Sequence, residues 1–435
     1  MGSDAPMRLQ VFSEIGPLRR VLVHTPGREI DRMSPSMMEH LLFDDILYGD
    51  QARHEHAIFR RVLEAGGAEV LDAQDLAAAA LGSEEARRRT LDDLAGEWGV
   101  PRRVVDRLRE LEPAHLAEAL IAGIRPGEDP STGGPRTGFD LAPVPNYFFQ
   151  RDPQAVLGDR VVISSMATDA RERETLLASL IFRDHPLLGA ACADRFEIDA
   201  PPQASANPDR VYPYPHLEGG DVLVADAETI LVGISERTNR GGVEVLASYL
   251  RREETSFRHL IVVELPHRRS YMHLDTVFTF IDRGLCLGYV PVIDPPPGAP
   301  ALQWAYVHHV DLTAHEVSYQ VRRSLRHALD EVGLEVEIVP CGGTDPLEQE
   351  REQWTDGANA FAVAPGVILL YRRNHRTVDA LSRRGWRILG EEEVASGEAE
   401  LLGHGPTVVT LQGNELSRAR GGPRCMTMPL VREPL

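Results

Sequence analysis

No run of apolar residues approaches the roughly eighteen that a membrane-spanning helix needs. The opening Met-Gly-Ser-Asp-Ala-Pro-Met has no apolar core of a secretory leader. Cysteine is scarce: four in 435 residues, widely scattered, which excludes a disulfide framework and points to a reducing compartment. Positive charge is short as well. Against 66 Asp and Glu stand 46 Lys and Arg, a net charge of −20, which argues against nucleic acid and anionic membranes as partners while favouring a small cationic ligand. There is no His-Glu-x-x-His, no Cys-x-x-Cys, and no Walker or dinucleotide glycine fingerprint after a strand. His54-Glu55-His56 and His308-His309 lack ligand partners at useful spacing. A soluble, cytoplasmic protein without a metal or cofactor is expected.

What is present is a repeated unit of two strands, a helix and a further strand. Ala155–Leu157 and Val161–Ser164 flank Gly158-Asp159 and lead into a helix, Glu172–Phe182. Asp221–Ala225 and Ile230–Ile234 pair around a turn, followed by a helix at Gly242–Leu250 and a strand at Leu260–Leu265. The order recurs as Thr276–Ile281, Leu285–Val290, a helix at Ser318–Val332 and Leu334–Val339, and again as Ala360–Ala364, Val367–Tyr371, Val378–Arg384 and Trp386–Leu389. A fifth unit can be assembled from the chain ends: strands Val408–Leu411, Met426–Val431 and Arg19–His24, a helix at Arg53–Ala65, and Glu69–Leu71. Short apolar runs bounded by Gly, Asp and Asn are read as strands, and stacked repeats of one unit mean a ring or an array. The Ala-, Leu-, Arg- and Glu-rich stretch 73–124 breaks this rhythm with helical spacing and is read as a helical bundle inserted into one domain spanning 1–435. The segments Arg125–Arg136 and Asp294–Pro300 are read as loops, either lids or plain surface connections.

Cys425 lies in Arg-Gly-Gly-Pro-Arg-Cys-Met-Thr-Met-Pro, with Arg420 and Arg424 close by in sequence. Positive charge near a thiol stabilises the nucleophilic thiolate; the alternative is a small buried hydrophobe. Polar motifs also recur at strand ends: Asn146 to Asp152, His216 to Asp221, Ser235 to Thr238, and Met272 to Thr276. Each alone has a bland reading. Asp152 before a proline suits a turn, Glu218 before two glycines suits a solvated turn, and His273 suits a satisfied core imidazole. However, His273 and Asp275 at i and i+2 share one strand face. Taken together, one thiol, one histidine and three carboxylates (Asp152, Glu218, Asp275) accompany Arg171, Arg237 and Arg420. Carboxylates suit a guanidinium, and arginines suit a substrate carboxylate. The pattern implies a pocket for a molecule carrying both.

These motifs, with Phe12-Ser-Glu-Ile-Gly-Pro-Leu, Leu42-Phe-Asp-Asp-Ile-Leu, Arg171-Glu-Arg-Glu-Thr175, Glu350-Arg-Glu-Gln-Trp354 and Asp356-Gly357, resemble in order and spacing the arginine deiminases of the guanidine-modifying, pentein-fold superfamily. The resemblance implies a five-bladed α/β propeller of ββαβ units with pseudo-fivefold symmetry, assembled as a homo-oligomer (dimer or tetramer). It also implies hydrolysis of free L-arginine to citrulline and ammonia. Cys425 would be the nucleophile, His273 the acid and base, Asp152 and Asp275 the guanidinium clamp, and Glu218 a hydrogen-bond partner of both the guanidinium and His273. Asn146 and the backbone near it would meet the α-amino group, Phe149 the stem, Arg171 and Arg237 the α-carboxylate, and Arg420 would be a mobile gate. Met428, Gln150, Ala419 and the run His375 to Val378 depart from the family pattern, all away from the catalytic positions. The alternatives are an arginine dihydrolase, yielding ornithine, carbon dioxide and two ammonia, and an inactive pentein-fold binding protein. Amidinotransferases and dimethylarginine hydrolases fit less well, since they usually lack the helical insert and the Glu-Arg-Glu-Gln-Trp run.

Overall fold

The computed structural model describes residues 8–96, 98–125, 138–198, 214–253, 255–296, 298 and 303–435. Of the two expected loops, 126–136 lies outside the described residues, as do 297, 299 and 300 of the second. No helix among the described residues is long and apolar enough to cross a membrane.

Five sheets repeat one pattern, an antiparallel pair followed by a strand parallel to its second member. In the first, Gln154–Leu157 pairs with Arg160–Ile163, which is joined by Phe196–Glu197. The second sets Val222–Val224 against Thr229–Ile234 and then His259–Glu264. The third uses Phe278–Asp282, Leu285–Gly288 and Glu337–Pro340. The fourth uses Phe361–Ala364, Val367–Tyr371 and Thr407–Leu411. In the fifth, Met428–Arg432 runs antiparallel to Leu18–Val23, which is parallel to Glu69–Asp72. A helix precedes each parallel strand: Glu172–Asp184, Arg240–Arg252, Leu325–Glu331, His375–Ser382 and Gly49–Ala65. The hairpin turns of the first, third and fourth sheets hold Gly158, Gly284 and Gly366 at φ of 64°, 66° and 73°. A side chain strains that left-handed backbone, so glycine marks the same place in each.

Two sequence expectations are corrected. Val408–Leu411 belongs to the fourth sheet, where Thr407–Leu411 inserts between Val367–Tyr371 and Arg387–Gly390. Its five residues are all buried, whereas Arg387–Gly390 is half-buried throughout; the strand that can lose all contact with water takes the interior position. The helix expected over Ser318–Val332 is shorter. Gln320–Arg322 is a strand, and the helix starts only after Ser324, whose Oγ accepts the His327 N–H and caps it. Tyr306–Asp311, not foreseen as a strand, pairs antiparallel with His259–Glu264 and widens the second sheet.

The stretch between the fifth and first sheets forms four helices, Ala73–Ala80, Glu84–Gly96, Arg102–Arg109 and Pro113–Ala122. Asp72 caps the first by accepting the Gln74 N–H. Leu91, Leu94, Val104, Leu108, Leu116 and Leu120 are fully buried in one cluster with Leu177, Leu180 and Val222. Each such leucine contributes roughly 1.5–3 kcal/mol, so the helices share a core with the first two sheets.

Candidate active site

Each sheet delivers polar residues from the same place, the few residues ahead of its first strand. Asp152 precedes Gln154–Leu157, Glu218 precedes Val222–Val224, and His273 and Asp275 precede Phe278–Asp282. Asn359 precedes Phe361–Ala364, and Cys425 precedes Met428–Arg432. These segments are stitched into a closed circle. The Gly219 N–H donates to the Asp152 carbonyl at 2.9 Å and the Leu274 N–H to Asp221 Oδ1 at 2.8 Å. Asn359 Nδ2 donates to the Asp275 carbonyl at 3.2 Å, and Asn359 Oδ1 accepts the Cys425 N–H at 3.3 Å. The Arg151 N–H donates to the Cys425 carbonyl at 3.0 Å and closes the round.

One pocket lies inside this circle. Asn146, Phe149, Asp152, Arg171, Arg237, His273, Arg420 and Cys425 line it, together with Leu42, Asp44, Arg269, Met272, Thr276 and Ala419. All ten sequence-assigned residues therefore converge: eight line the pocket, while Glu218 bonds His273 and Asp275 faces Cys425. His273 Nε2 lies 2.9 Å from Glu218 Oε2, and Nδ1 lies 3.7 Å from Asp152 Oδ1. Burial opposes charge on His273, but Asp152, the bond to Glu218 and the charge of Asp221 outweigh it and raise the imidazole to about 9. Burial likewise disfavours an ionised Glu218, yet His273, Arg171 and Arg237 hold it at about 2. The pair is ionic at neutral pH. Gly220 permits this geometry, because a Cβ there would sit 2.6 Å from His273 Nδ1.

Cys425 Sγ lies 3.8 Å from Asp275 Oδ2. Burial pushes the thiol well above the usual cysteine range, and Asp275, Asp152 and Asp356 push it further. The expectation that flanking arginines stabilise a thiolate fails for a geometric reason: neither guanidinium is spent on the sulfur. Arg420, held in the left-handed region at φ 62°, stacks on the Trp354 ring with 3.5 Å from Cζ to centroid. Arg424 turns away to Glu14 and Asp275. Burial and the surrounding carboxylates thus both favour the neutral thiol.

Arg171 is already paired. It grips Glu174 through two bonds of 3.0 and 2.8 Å and reaches Asp152 at 2.9 Å and Glu218 at 3.4 Å. Arg237 is buried with Nη1 unbonded among the described residues. Asn146 Nδ2 donates to the Leu41 carbonyl at 2.8 Å, and Phe149 packs edge-on against the backbone of Gly421. Asp152, Glu218 and His273 bring one ligand atom each within 4.8 Å of one another, a cluster with the donor types of a metal site. Arg171 already supplies a cation there, which disfavours a metal ion.

Several contributors carried no individual signal in the sequence. Asn359 holds the Cys425 N–H, Glu14 and Glu174 anchor arginines, and buried Asp356, raised to about 7 by burial, faces Arg420. Glu14, Glu174 and Asp356 fall inside motifs that carried the family resemblance. Asn359 has no such marker.

The family model for arginine deiminase matches residues 39–120 and 129–432. The arginine deiminase of Listeria welshimeri serovar 6b is 37% identical over 98% of this chain and 99% of its own. That of Mycoplasma capricolum subsp. capricolum is 34% identical over 98% of each. Among solved structures, an amidinotransferase of saxitoxin biosynthesis from Microseira wollei superposes with a TM-score of 0.52 at 14% identity, covering 98% of both chains. That likeness carries the fold alone.

Proposed function

The chain belongs to the arginine deiminase family, and from this membership and the pocket's chemistry we propose that it hydrolyses free L-arginine to L-citrulline and ammonia through a covalent intermediate on Cys425. One observation carries the residue assignment. Asp152 and Asp275 each have one oxygen, Oδ2, held by an arginine, and the other, Oδ1 in both, buried without a hydrogen bond among the described residues. Two such oxygens suit the N–H groups of a guanidinium.

The substrate cation enters between these carboxylates and offsets the charge that keeps Cys425 protonated. The thiol gives its proton to solvent water, and the thiolate attacks the guanidinium carbon, forming the C–S bond. Protonated His273 gives its proton to the departing nitrogen as the C–N bond breaks and ammonia leaves. The S-alkylthiouronium that remains is still cationic, and the same carboxylates stabilise it. Neutral His273 then takes a proton from water. The hydroxide adds to the carbon, the C–S bond breaks, and the hydroxyl proton of the adduct returns to the departing sulfur, so that citrulline forms with the Cys425 thiol restored and His273 again protonated.

Arg237, with its unbonded Nη1, and Arg171 would hold the α-carboxylate. Asn146 with the Leu41 carbonyl would meet the α-amino group, Phe149 would pack on the methylene stem, and Arg420 would act as a gate. A cytoplasmic homo-oligomer (dimer or tetramer), built as one domain with residues 73–124 as a helical insertion, belongs to the same reading. The test is to incubate the protein with L-arginine and quantify citrulline, ornithine and ammonia beside Cys425→Ala. One ammonia per citrulline, lost in the variant, is expected. Ornithine with two ammonia would instead mean a dihydrolase, and no product at all would leave a binding protein.

A further inference from the structure

Arg424 is not part of the chemistry described above, yet it is among the most completely buried and bonded side chains of the molecule. Its side chain is 1% exposed. Nε and Nη2 grip the Glu14 carboxylate at 3.0 and 3.1 Å, Nη2 also reaches the Val222 carbonyl at 2.8 Å, and Nη1 donates to Asp275 Oδ2 at 2.8 Å. One guanidinium thus joins the segment before the fifth sheet's central strand, the start of the second sheet, and the carboxylate opposite the nucleophile. Glu14 is the counterweight. Burial disfavours its ionised form, but Arg424 and Arg151 hold it at about 2, so Arg424 retains an ionic partner whatever happens at Asp275. A buried guanidinium with a permanent carboxylate on one side and a second carboxylate on the other has no freedom to swing.

The arrangement has a counterpart across the pocket. Arg171, anchored by Glu174, donates to Asp152 Oδ2 at 2.9 Å. Each clamp aspartate therefore meets one arginine that is itself pinned by a glutamate, and each is left with its Oδ1 free of hydrogen bonds among the described residues. Arg171 lines the pocket and has its own proposed ligand; Arg424 does not line it. Its contacts are all with protein.

We propose that Arg424, braced by Glu14, is a positioning residue for the reaction: by bonding Oδ2 it fixes the rotamer of Asp275 against Cys425 and leaves Oδ1 unbonded to receive the guanidinium. This rests on Asp275 being part of the guanidinium clamp. Arg424 then explains why the residue beside the nucleophile is an arginine rather than any cation. Lysine has one point charge and cannot bond Glu14 in bidentate fashion while also reaching Asp275 and the Val222 carbonyl.

The test uses the full chain and two alkylating probes of one thiol. Iodoacetamide is neutral; attack by Cys425 forms a C–S bond and expels iodide. 2-Chloroacetamidine carries an amidinium and reacts in the same sense with loss of chloride, but its cation must sit in the carboxylate clamp. The rate at Cys425, followed by peptide mass, gives a ratio of amidine to amide reactivity that reports the clamp and not the general health of the thiol. In Arg424→Gln the ratio is expected to fall by roughly tenfold or more, and in Arg424→Lys by an intermediate amount, as fits loss of charge-assisted bonds. For arginine turnover, kcat is expected to fall more than KM rises, since a misaimed clamp binds but does not orient.

An unchanged ratio, or both alkylation rates falling together, would overturn the proposal. If Arg424→Gln does not fold, Glu14→Gln keeps shape and removes only the brace. Its ratio is expected to fall severalfold, and an unchanged ratio overturns the proposal equally. Asp275→Ala separates the two levels of the argument. A wild-type ratio in that variant means the clamp assignment itself is wrong, whereas a collapsed ratio there with an intact one in both Arg424 variants refutes the role of Arg424 alone.

Discussion

Cys425 Sγ and Asp275 Oδ2 are in contact at 3.8 Å, thiol against carboxylate. Two negative charges at that separation repel, so the ionised thiol is disfavoured as long as Asp275 is charged. Removing the charge must act in the opposite direction. In the absence of substrate, the pH limb for iodoacetamide alkylation of Cys425 is expected to lie above that of an ordinary cysteine in wild type, and to move to lower pH in Asp275→Asn. A limb that stays put or rises in the variant would show that the carboxylate does not control the thiol.

Gly220→Ala tests the packing of His273, the proposed acid and base. The added Cβ would stand 2.6 Å from His273 Nδ1 and 3.0 Å from Asp152 Oδ1, so the imidazole must shift. A displacement of about 1 Å costs on the order of 100-fold in rate. The expected outcome is a fall in kcat of that size with little change in thermal midpoint. Near-wild-type turnover would mean that His273 has room the geometry does not show.

Arg237 offers an unbonded, buried Nη1 to the pocket, which predicts substrate-dependent kinetics. Arg237→Gln is expected to raise KM for L-arginine by roughly 10–100-fold, as fits loss of a charged hydrogen bond to the α-carboxylate. Agmatine has the same guanidinium but no carboxylate, so its slower turnover is expected to be almost insensitive to the change. Equal losses for both would move the carboxylate site elsewhere.

His56 gives a stability prediction far from the pocket. It is fully buried with neither ring nitrogen hydrogen-bonded, and burial depresses its pKa to about 3. In the unfolded chain it takes a proton below pH about 6.5. The unfolded state therefore binds more protons between about 6.5 and 3, and native stability is lost as pH falls through that window, by about 1 kcal/mol per pH unit at most. His56→Leu removes the effect, and its thermal midpoint is expected to drop less than wild type between pH 7 and pH 5. Parallel curves would refute it. Nearby His24 has the reverse sign: burial opposes its charge, but Asp72 and Glu29 raise it to about 9. Its contribution is present in full below about 6.5 and lost as pH rises toward 9.

The sequence was most readable where chemistry is local. Gly158, Gly284 and Gly366 mark their hairpin turns, and Cys425, His273, Glu218, Asp152 and Asp275, grouped from the sequence, lie together in the structure. What could not be read was direction and neighbourhood. Arg424 stands next to the sulfur in sequence, but its side chain points at Glu14, a residue 410 positions away. Thr407–Leu411 reads as a good strand, yet nothing within it states which sheet it enters, since parallel partners are chosen by tertiary burial. Tyr306–Asp311 went unnoticed because His308-His309 hides the alternation of a strand. The thiolate argument failed for the same reason as Arg424: proximity along the chain was taken for proximity of charge.

The hydrogen bond from Arg151 to the Cys425 carbonyl, and the strand Met428–Arg432 laid against Leu18–Val23, have a consequence during synthesis. A chain emerging from the ribosome can assemble the first three of the five sheets, and bring Asp152, Glu218 and Asp275 together, well before residues 424 and 425 exist. Until then Asp275 has no Arg424 to bond. The arriving C-terminal segment carries that arginine together with Cys425, so the thiol and the cation that balances its neighbouring carboxylate come in one step. Completion of the pocket is coupled to the latest contact in the fold, and nascent chains stalled before this segment are expected to be inert toward arginine.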